Sequence, residues 1–163
     1  MDIQDEYDTL TQSDEYTTFN SVPNDFYLVH VYRMMDAKVA GKIEFGFYSA
    51  EKDRMVIFET NPAKKHDEEE VFKDSRTIHE LDLETVKISM DDALSIAEKT
   101  RQEKYKSEMI YKTIIILQNL GTQVWNITLV SLSFNIINIR IDAETGVVME
   151  SNIHNIMSLG KRD

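Results

Sequence analysis

The segment from Ile88 to Glu150 restricts the possible folds more than any other part of the sequence. It begins with the run ISMDDALSIA at 88–97, continues as an apolar block, and ends near the run NIRIDAETGVV at 138–148. Ser89 stands three residues before Asp92, which is close to the capping-box spacing at a helix N-terminus. A capped helix followed by hairpins is one coherent folding unit, because the strands supply the sheet that covers the apolar side of the helix.

The helix is predicted to start at Met90 and to extend to about residue 105. Its apolar side chains repeat at helical spacing and include the small residues Ala93 and Ala97. Small residues on the buried side let a helix lie close against a sheet. Asp91 and Asp92 lie near the positive end of the helix dipole, while basic residues lie near its negative end.

Seven segments have the composition and alternation of β-strands. They lie at residues 26–35, 42–49, 54–60, 111–118, 123–130, 134–142 and 147–151. Polar turns separate neighbouring segments, so the strands are expected to form antiparallel meanders. The prediction is an α+β fold, in which an antiparallel sheet of six to eight strands is covered by one main helix at about 90–105.

Two other segments interrupt the strands. Pro62 and the acidic run at 66–70 mark a break over residues 61–73, and residues 75–87 are expected to form an irregular or short-strand crossover.

The residues of the last turn allow a more specific prediction. Asp142 is expected to accept hydrogen bonds from nearby backbone amides, and Gly146 is expected to adopt a positive φ.

Length and composition favour one domain. A chain of 163 residues with 42% hydrophobic content is long enough for one good core. We expect residues 23–163 to form a single α+β domain, with two similar halves as an open alternative, a meander at 23–60 and a helix plus meander at 88–151. Residues 1–22 are acidic with scattered apolar side chains, which allows either a mobile tail or a short helix.

Charge argues against several classes of partner. The net charge is −11, and a surface that binds nucleic acid or anionic lipid needs clustered Lys and Arg. The uncharged block from Thr113 to Ile139 is interrupted too often by polar residues to span a membrane, so no direct membrane insertion is predicted. The chain has no cysteine, which excludes disulfides and thiolate chemistry.

The N-terminus lacks the pattern of a secretory signal. Met1 to Asp25 contains seven carboxylates and no Lys or Arg. We expect a cytoplasmic location if Met1 is the native start, and an extracytoplasmic one if the chain is a region cut from an exported or anchored protein.

The sequence contains no recognisable catalytic or cofactor motif, so no catalytic, cofactor-binding or metal site is predicted and no enzyme activity is expected. The four histidines, at 30, 66, 79 and 154, lack metal-ligand spacing. His66 precedes an acidic run that could hold a divalent cation weakly, although a solvated acidic loop is favoured. Trp125, Tyr111 and Phe134 could line a ligand pocket between helix and sheet, although core packing is favoured.

One group of polar residues indicates an interaction surface. Asn126 and Thr128 on one predicted strand, with Asn138 and Arg140 on another, are expected to form a lightly charged polar face. A sheet covered on one side leaves its other face for water, a partner or a second copy. An edge strand can also pair with an extended peptide.

Three of these segments together resemble the PepSY domain. They are the run ISMDDALSIA at 88–97, the Trp-bearing strand at 124–129 and the run IDAETGVV at 141–148, so the resemblance covers about residues 88–151. It implies a cystatin-like arrangement with a helix laid across an antiparallel sheet. It also implies a role in binding or inhibiting peptidases, and it supplies no catalytic residues.

These observations give a leading functional hypothesis and two alternatives. The leading one is a non-enzymatic PepSY-like binding module that engages or inhibits a peptidase, or binds another protein or peptide, through its sheet. One alternative is a small-ligand binding or catalytic domain with a pocket under the helix. The other is an assembly protein in which the sheet mediates a homodimer.

Overall fold

A computed structural model describes residues 2–71 and 78–159 of the chain. The α-helices in these ranges are α1 (Ile3–Thr11), α2 (Asp14–Asn20), α3 (Met90–Lys104) and α4 (Ile156–Leu159). The strands are β1 (Tyr27–Asp36), β2 (Glu44–Ser49), β3 (Arg54–Glu59), β4 (Lys64–Lys65), β5 (Glu69–Glu70), β6 (Ile110–Asn119), β7 (Gln123–Ser131), β8 (Asn135–Asp142) and β9 (Val148–Asn155). A 3-10 turn at Leu83–Thr85 lies within the predicted crossover.

The strands form one antiparallel sheet in the order β4-β3-β2-β1-β6-β7-β8-β9, and β5 also pairs with β3. The predicted α+β fold with one main helix is confirmed. The sheet has nine strands because the two-residue strands β4 and β5 lie in the segment that was predicted to be a break. Residues 72, 73 and 75–77 of the two predicted connecting segments lie outside the described ranges.

One face of the sheet carries the core. A row of side chains in register crosses six strands of this face, and each of them is 0% exposed: Phe58, Phe45, Val31, Leu117, Trp125 and Ile141. Side chains alternate between the faces of a sheet, so the residues two positions away along each strand extend the same apolar surface. Helices α1, α2 and α3 cover this face.

The acidic N-terminal tract is helical. The carboxylate of Asp2 accepts a hydrogen bond from the backbone of Gln4 at the start of α1, and Ser13 caps α2 in the same way. The apolar sides of these helices meet aromatic rings of the sheet, with Tyr7 5.6 Å from Phe45 between ring centroids. Their acidic residues remain toward solvent, which explains why the tract resembles a tail in sequence.

Helix α3 begins at the predicted cap. The backbone amide of Asp92 donates to the hydroxyl of Ser89 over 3.0 Å. Ala93 and Ala97 are buried on the sheet side of the helix, as their size predicted. The final turn also follows its prediction, since the Asp142 carboxylate accepts hydrogen bonds from two backbone amides and Gly146 has a φ of 80°.

The two halves of the chain meet in the middle of the sheet. Strand β1 follows the N-terminal helices, β6 follows α3, and these two strands pair with each other. The later strands of each half extend outward in opposite directions. This layout supports the division into similar halves, which we keep as a proposal.

Candidate functional site

Strand β9 forms a long edge of the sheet. It contains eight residues and lies at one end of the strand order. The opposite end carries only the two-residue strands β4 and β5 against β3. Within the described residues, β9 is therefore the edge with room for a further strand.

The hydrogen bonding of β8 shows which backbone groups of β9 point outward. The amide of Ile156 donates to the carbonyl of Phe134 over 2.7 Å, just beyond the pair formed by Asn155 and Asn135. Hydrogen-bonded and non-hydrogen-bonded pairs alternate along an antiparallel ladder, so the amide of Asn152 points toward β8. The backbone groups of Ser151 and Ile153 point away from β8, toward the edge.

From Glu150 to Asn155, β9 pairs with β8 in unbroken register, beyond a bulge at Met149. The strand contains no proline and no lysine, the residues that commonly block edge pairing. Met149 and Ile153 are 53% and 38% exposed. We call the outward backbone groups of Ser151 and Ile153, together with these two exposed side chains, the open edge.

The predicted polar face lies on the side of the sheet opposite to the core. The structure brings Asn126, Thr128 and Asn138 together, since the side-chain amide of Asn138 donates to Asn126 over 2.9 Å and to Thr128 over 3.1 Å. Arg140 lies 3.4 Å from Glu150 on β9. Asn126, Thr128 and Asn138 use hydrogen-bonding capacity on one another, so these three side chains offer a partner less than the open edge does.

The three aromatic residues considered for a pocket are not brought together. Trp125 is in the core, and its indole nitrogen donates to the carbonyl of Ile88 over 2.8 Å. Tyr111 and Phe134 are 39% and 58% exposed. Of these three residues, only Trp125 therefore lies against α3.

A cavity of about 470 Å³ lies between the N-terminal ends of α1 and α3. Its lining includes Ile3, Leu83, Ile88 and Trp125, with Asp91 among the charged residues. The cavity lies at the start of α3 and not along the length of the helix. A small-ligand role for it remains the alternative proposal raised by the sequence.

The four histidines occupy different environments. His79 and His154 are exposed, whereas the imidazole of His30 lies against the backbone of Gly46, and burial lowers its pKa to about 4. His66 begins the acidic run with which the sequence associated it, and its Nε2 atom lies 3.1 Å from Glu59 on the neighbouring strand β3. Its proximity to Glu59 could not be inferred from the spacing of histidines along the chain.

The His30 environment predicts a pH dependence of stability. Between pH 6.5 and pH 5 we expect His30 to reduce the free energy of unfolding by about 2 kcal/mol. Each pH unit in this window contributes about 1.36 kcal/mol, because the window lies between the folded and unfolded pKa values. The unfolded chain binds the proton in this window, while the native imidazole, with its pKa of about 4, stays neutral. The residues paired with His30, Gly46 and Gln118, carry no charge.

Urea unfolding at pH 6.5, 6.0, 5.5 and 5.0 measures this effect, with His30→Gln as the comparison. The variant should lose most of the slope in this window. An equal slope in both proteins would assign the pH dependence to other groups. The lowered pKa values of Asp25 and Asp142, caused by hydrogen bonds to their carboxylates, place their contributions at more acidic pH.

No helix in the described ranges is long and apolar enough to cross a membrane.

The C-terminal half of the chain matches a known family. Residues 87–152 match the model of the PepSY family, described as the peptidase propeptide and YPEB domain. None of the curated proteins with which the chain was compared matches it.

A solved structure shares the fold beyond that region. It is a candidate lipoprotein from Clostridium difficile 630, 15% identical in sequence, with a TM-score of 0.52. The similarity covers 86% of this chain and 91% of that chain, so it includes strands of both halves. The resemblance of the C-terminal half to the PepSY domain is confirmed by the family match over residues 87–152.

Proposed function

We propose that this protein is a non-catalytic binding module that takes up an extended segment of a partner protein as an additional strand along the open edge. The observation that carries the proposal is the eight-residue length of β9 at one end of the sheet. Pairing with an extended segment satisfies the outward backbone groups of Ser151 and Ile153. The exposed side chains of Met149 and Ile153 supply apolar contacts that select the sequence of the segment.

The family match supports a peptidase, or another protein with an extended segment, as the partner. The description of the matching family names peptidase propeptides. Peptidases hold polypeptide substrates as extended strands, and an open edge strand is complementary to such a cleft or to a segment leading into it. Inhibition would follow if the paired module covered the cleft.

The open edge can be tested by replacing Ser151 with proline. Peptides selected from a displayed library on the wild-type protein should bind Ser151→Pro at least tenfold more weakly, because proline removes an amide that points to the edge. The substitution leaves the β8–β9 ladder intact and otherwise removes an exposed hydrogen bond from Lys104 to the Ser151 hydroxyl, so the free energy of unfolding should change by less than about 1 kcal/mol. Isothermal titration measures the affinity and urea unfolding measures the stability.

Two control variants separate edge pairing from other effects. Asn152→Pro removes an amide that points toward β8 and should cost about 2–3 kcal/mol of stability. Thr128→Ala, on the polar face, should leave peptide affinity unchanged. Equal binding of the selected peptides to wild type and Ser151→Pro, or a loss only in Thr128→Ala, would contradict the proposal. Peptidase assays with the wild type and with Ser151→Pro show whether the same edge inhibits peptidases.

The open edge also supports a second candidate, a homodimer in which β9 of one copy pairs with β9 of another. An antiparallel pair of identical edge strands gives a closed two-fold contact. Sedimentation at two concentrations distinguishes the candidates. A dimer that Ser151→Pro converts to monomer favours self-association, whereas a wild-type monomer that binds peptides favours the partner.

A further inference from the structure

A cluster of three metal-ligating side chains lies at the other end of the sheet. Glu44 on β2 and Glu59 on β3 are directly opposite each other in the antiparallel pair. His66 follows β4, and its Nε2 atom is 3.1 Å from Oε1 of Glu59. The ligand atoms of the three side chains all lie within 4.8 Å of one another.

Two carboxylates lie opposite each other in this cluster, and Lys64 on β4 lies opposite Glu59 on its other side. Like charges directly opposite on neighbouring strands destabilise a sheet, and Glu44 and Glu59 form such a pair. The Nε2 atom of His66 is shielded from solvent and makes no hydrogen bond to any described residue, although it is aimed at Glu59.

All three groups are partly buried and are held by the backbone of the sheet. Cross-strand pairing fixes Glu44 against Glu59, and the amide of His66 donates to the carbonyl of Ile57 over 2.9 Å. The backbone of the sheet therefore fixes the relative positions of the three residues. Its two carboxylates and one imidazole come from three successive segments of the sheet.

We propose that Glu44, Glu59 and His66 bind one divalent transition-metal ion, with zinc as the best-matched ion. One imidazole nitrogen with two carboxylate oxygens suits zinc and its neighbours, whereas calcium and magnesium prefer oxygen ligands alone. Zinc takes such ligands at about 2.0–2.2 Å, which requires ligand atoms about 3.3 Å apart in a tetrahedral site. Rotation of the flexible glutamate side chains closes the remaining gap, and water completes the coordination.

This site is separate from the open edge. It involves β2, β3 and the residue after β4, while β9 lies at the far end of the strand order. A failure of peptide binding in Ser151→Pro therefore leaves the metal site untouched. The two proposals are tested by different variants.

Isothermal titration of the full chain with zinc chloride tests the site. The wild type should bind one zinc ion per chain, and Glu59→Gln and His66→Gln should each weaken binding at least about tenfold, since each removes a ligand and preserves the side-chain size. The controls are Glu150→Gln and His154→Gln, which change the same residue types at the other end of the sheet. Both controls should bind zinc as the wild type does.

Three outcomes would overturn the site: no saturable zinc binding by the wild type, equal weakening in the two controls, or calcium or magnesium binding as tightly as zinc. Circular dichroism of every variant verifies that a loss of binding is not a loss of folding. Cobalt(II) provides a second readout, because its visible absorption should show mixed nitrogen and oxygen ligation in the wild type and change in His66→Gln. An unchanged cobalt spectrum in His66→Gln would remove the imidazole from the site.

Discussion

Replacing Trp125 with alanine is expected to lower the free energy of unfolding by about 3–5 kcal/mol. Trp125 is fully buried in the row of core side chains that crosses the sheet. Its indole nitrogen also donates to the carbonyl of Ile88, which holds the segment that leads into α3. The substitution leaves a large cavity under the helix and removes the partner of that carbonyl. Urea unfolding, with the midpoint shifted and the slope preserved, measures the loss.

Two further variants define the origin of this cost. Trp125→Phe keeps an aromatic ring but removes the donor to Ile88 and should cost about 1–3 kcal/mol. Phe134→Ala, at an aromatic residue that is mostly exposed, should cost less than about 1 kcal/mol. A loss at Phe134 as large as that at Trp125 would show that burial of the ring does not determine the cost of its removal.

Replacing Gly46 with alanine is the second substitution with a large expected effect. A Cβ atom at this position would lie within 2.8 Å of Nδ1 of His30 and closer still to two other imidazole atoms. The imidazole belongs to the neighbouring strand, where His30 pairs with Gly46. We expect a loss of about 2–3 kcal/mol in the free energy of unfolding, because the partly buried imidazole that packs on Gly46 must leave its position.

A double-mutant cycle assigns that loss to the contact with His30. His30→Ala removes the ring, so adding Gly46→Ala to it should cost less than about 1 kcal/mol. The coupling energy between the two positions should therefore exceed about 1 kcal/mol. If the two losses are additive, the effect of Gly46→Ala arises from the backbone or from another neighbour. Urea unfolding of the four proteins provides all the required values.

The features that the sequence predicted correctly are local. The cap at Ser89 and the turn at Asp142 each depend on residues within four positions of one another, so their hydrogen bonds are encoded in short runs. The buried alanines of α3 follow from helical spacing in the same way. The main strands were also predicted, because β-branched and aromatic residues favour extended backbone regardless of the partner strand.

The features that it did not predict depend on contacts between distant segments. The pairing of β1 with β6 joins residues more than 70 positions apart, such as Asp36 and Lys112, and no local pattern specifies that neighbour. The N-terminal helices are too short to be stable alone, and they persist because residues such as Tyr7 pack on rings of the sheet. Their composition therefore left a mobile tail equally open.

The candidate sites divide in the same way. The polar face was predicted from alternation, and its four residues do share a face of β7 and β8. The opposition of Glu44 and Glu59 is predictable from the sequence, since a hairpin turning at residues 49–54 places them across from each other. The position of His66, the third member, is not predictable in this way, because it requires the chain to turn back after β3 and pair again.

The pairing of β1 with β6 also determines what an excised fragment would contain. A fragment limited to residues 87–152, the region that matches the PepSY family, would lose β1 and leave the inner side of the ten-residue strand β6 without its neighbour. It would also stop before the end of β9. The boundary drawn by sequence similarity thus cuts through the hydrogen-bonded sheet between β1 and β6.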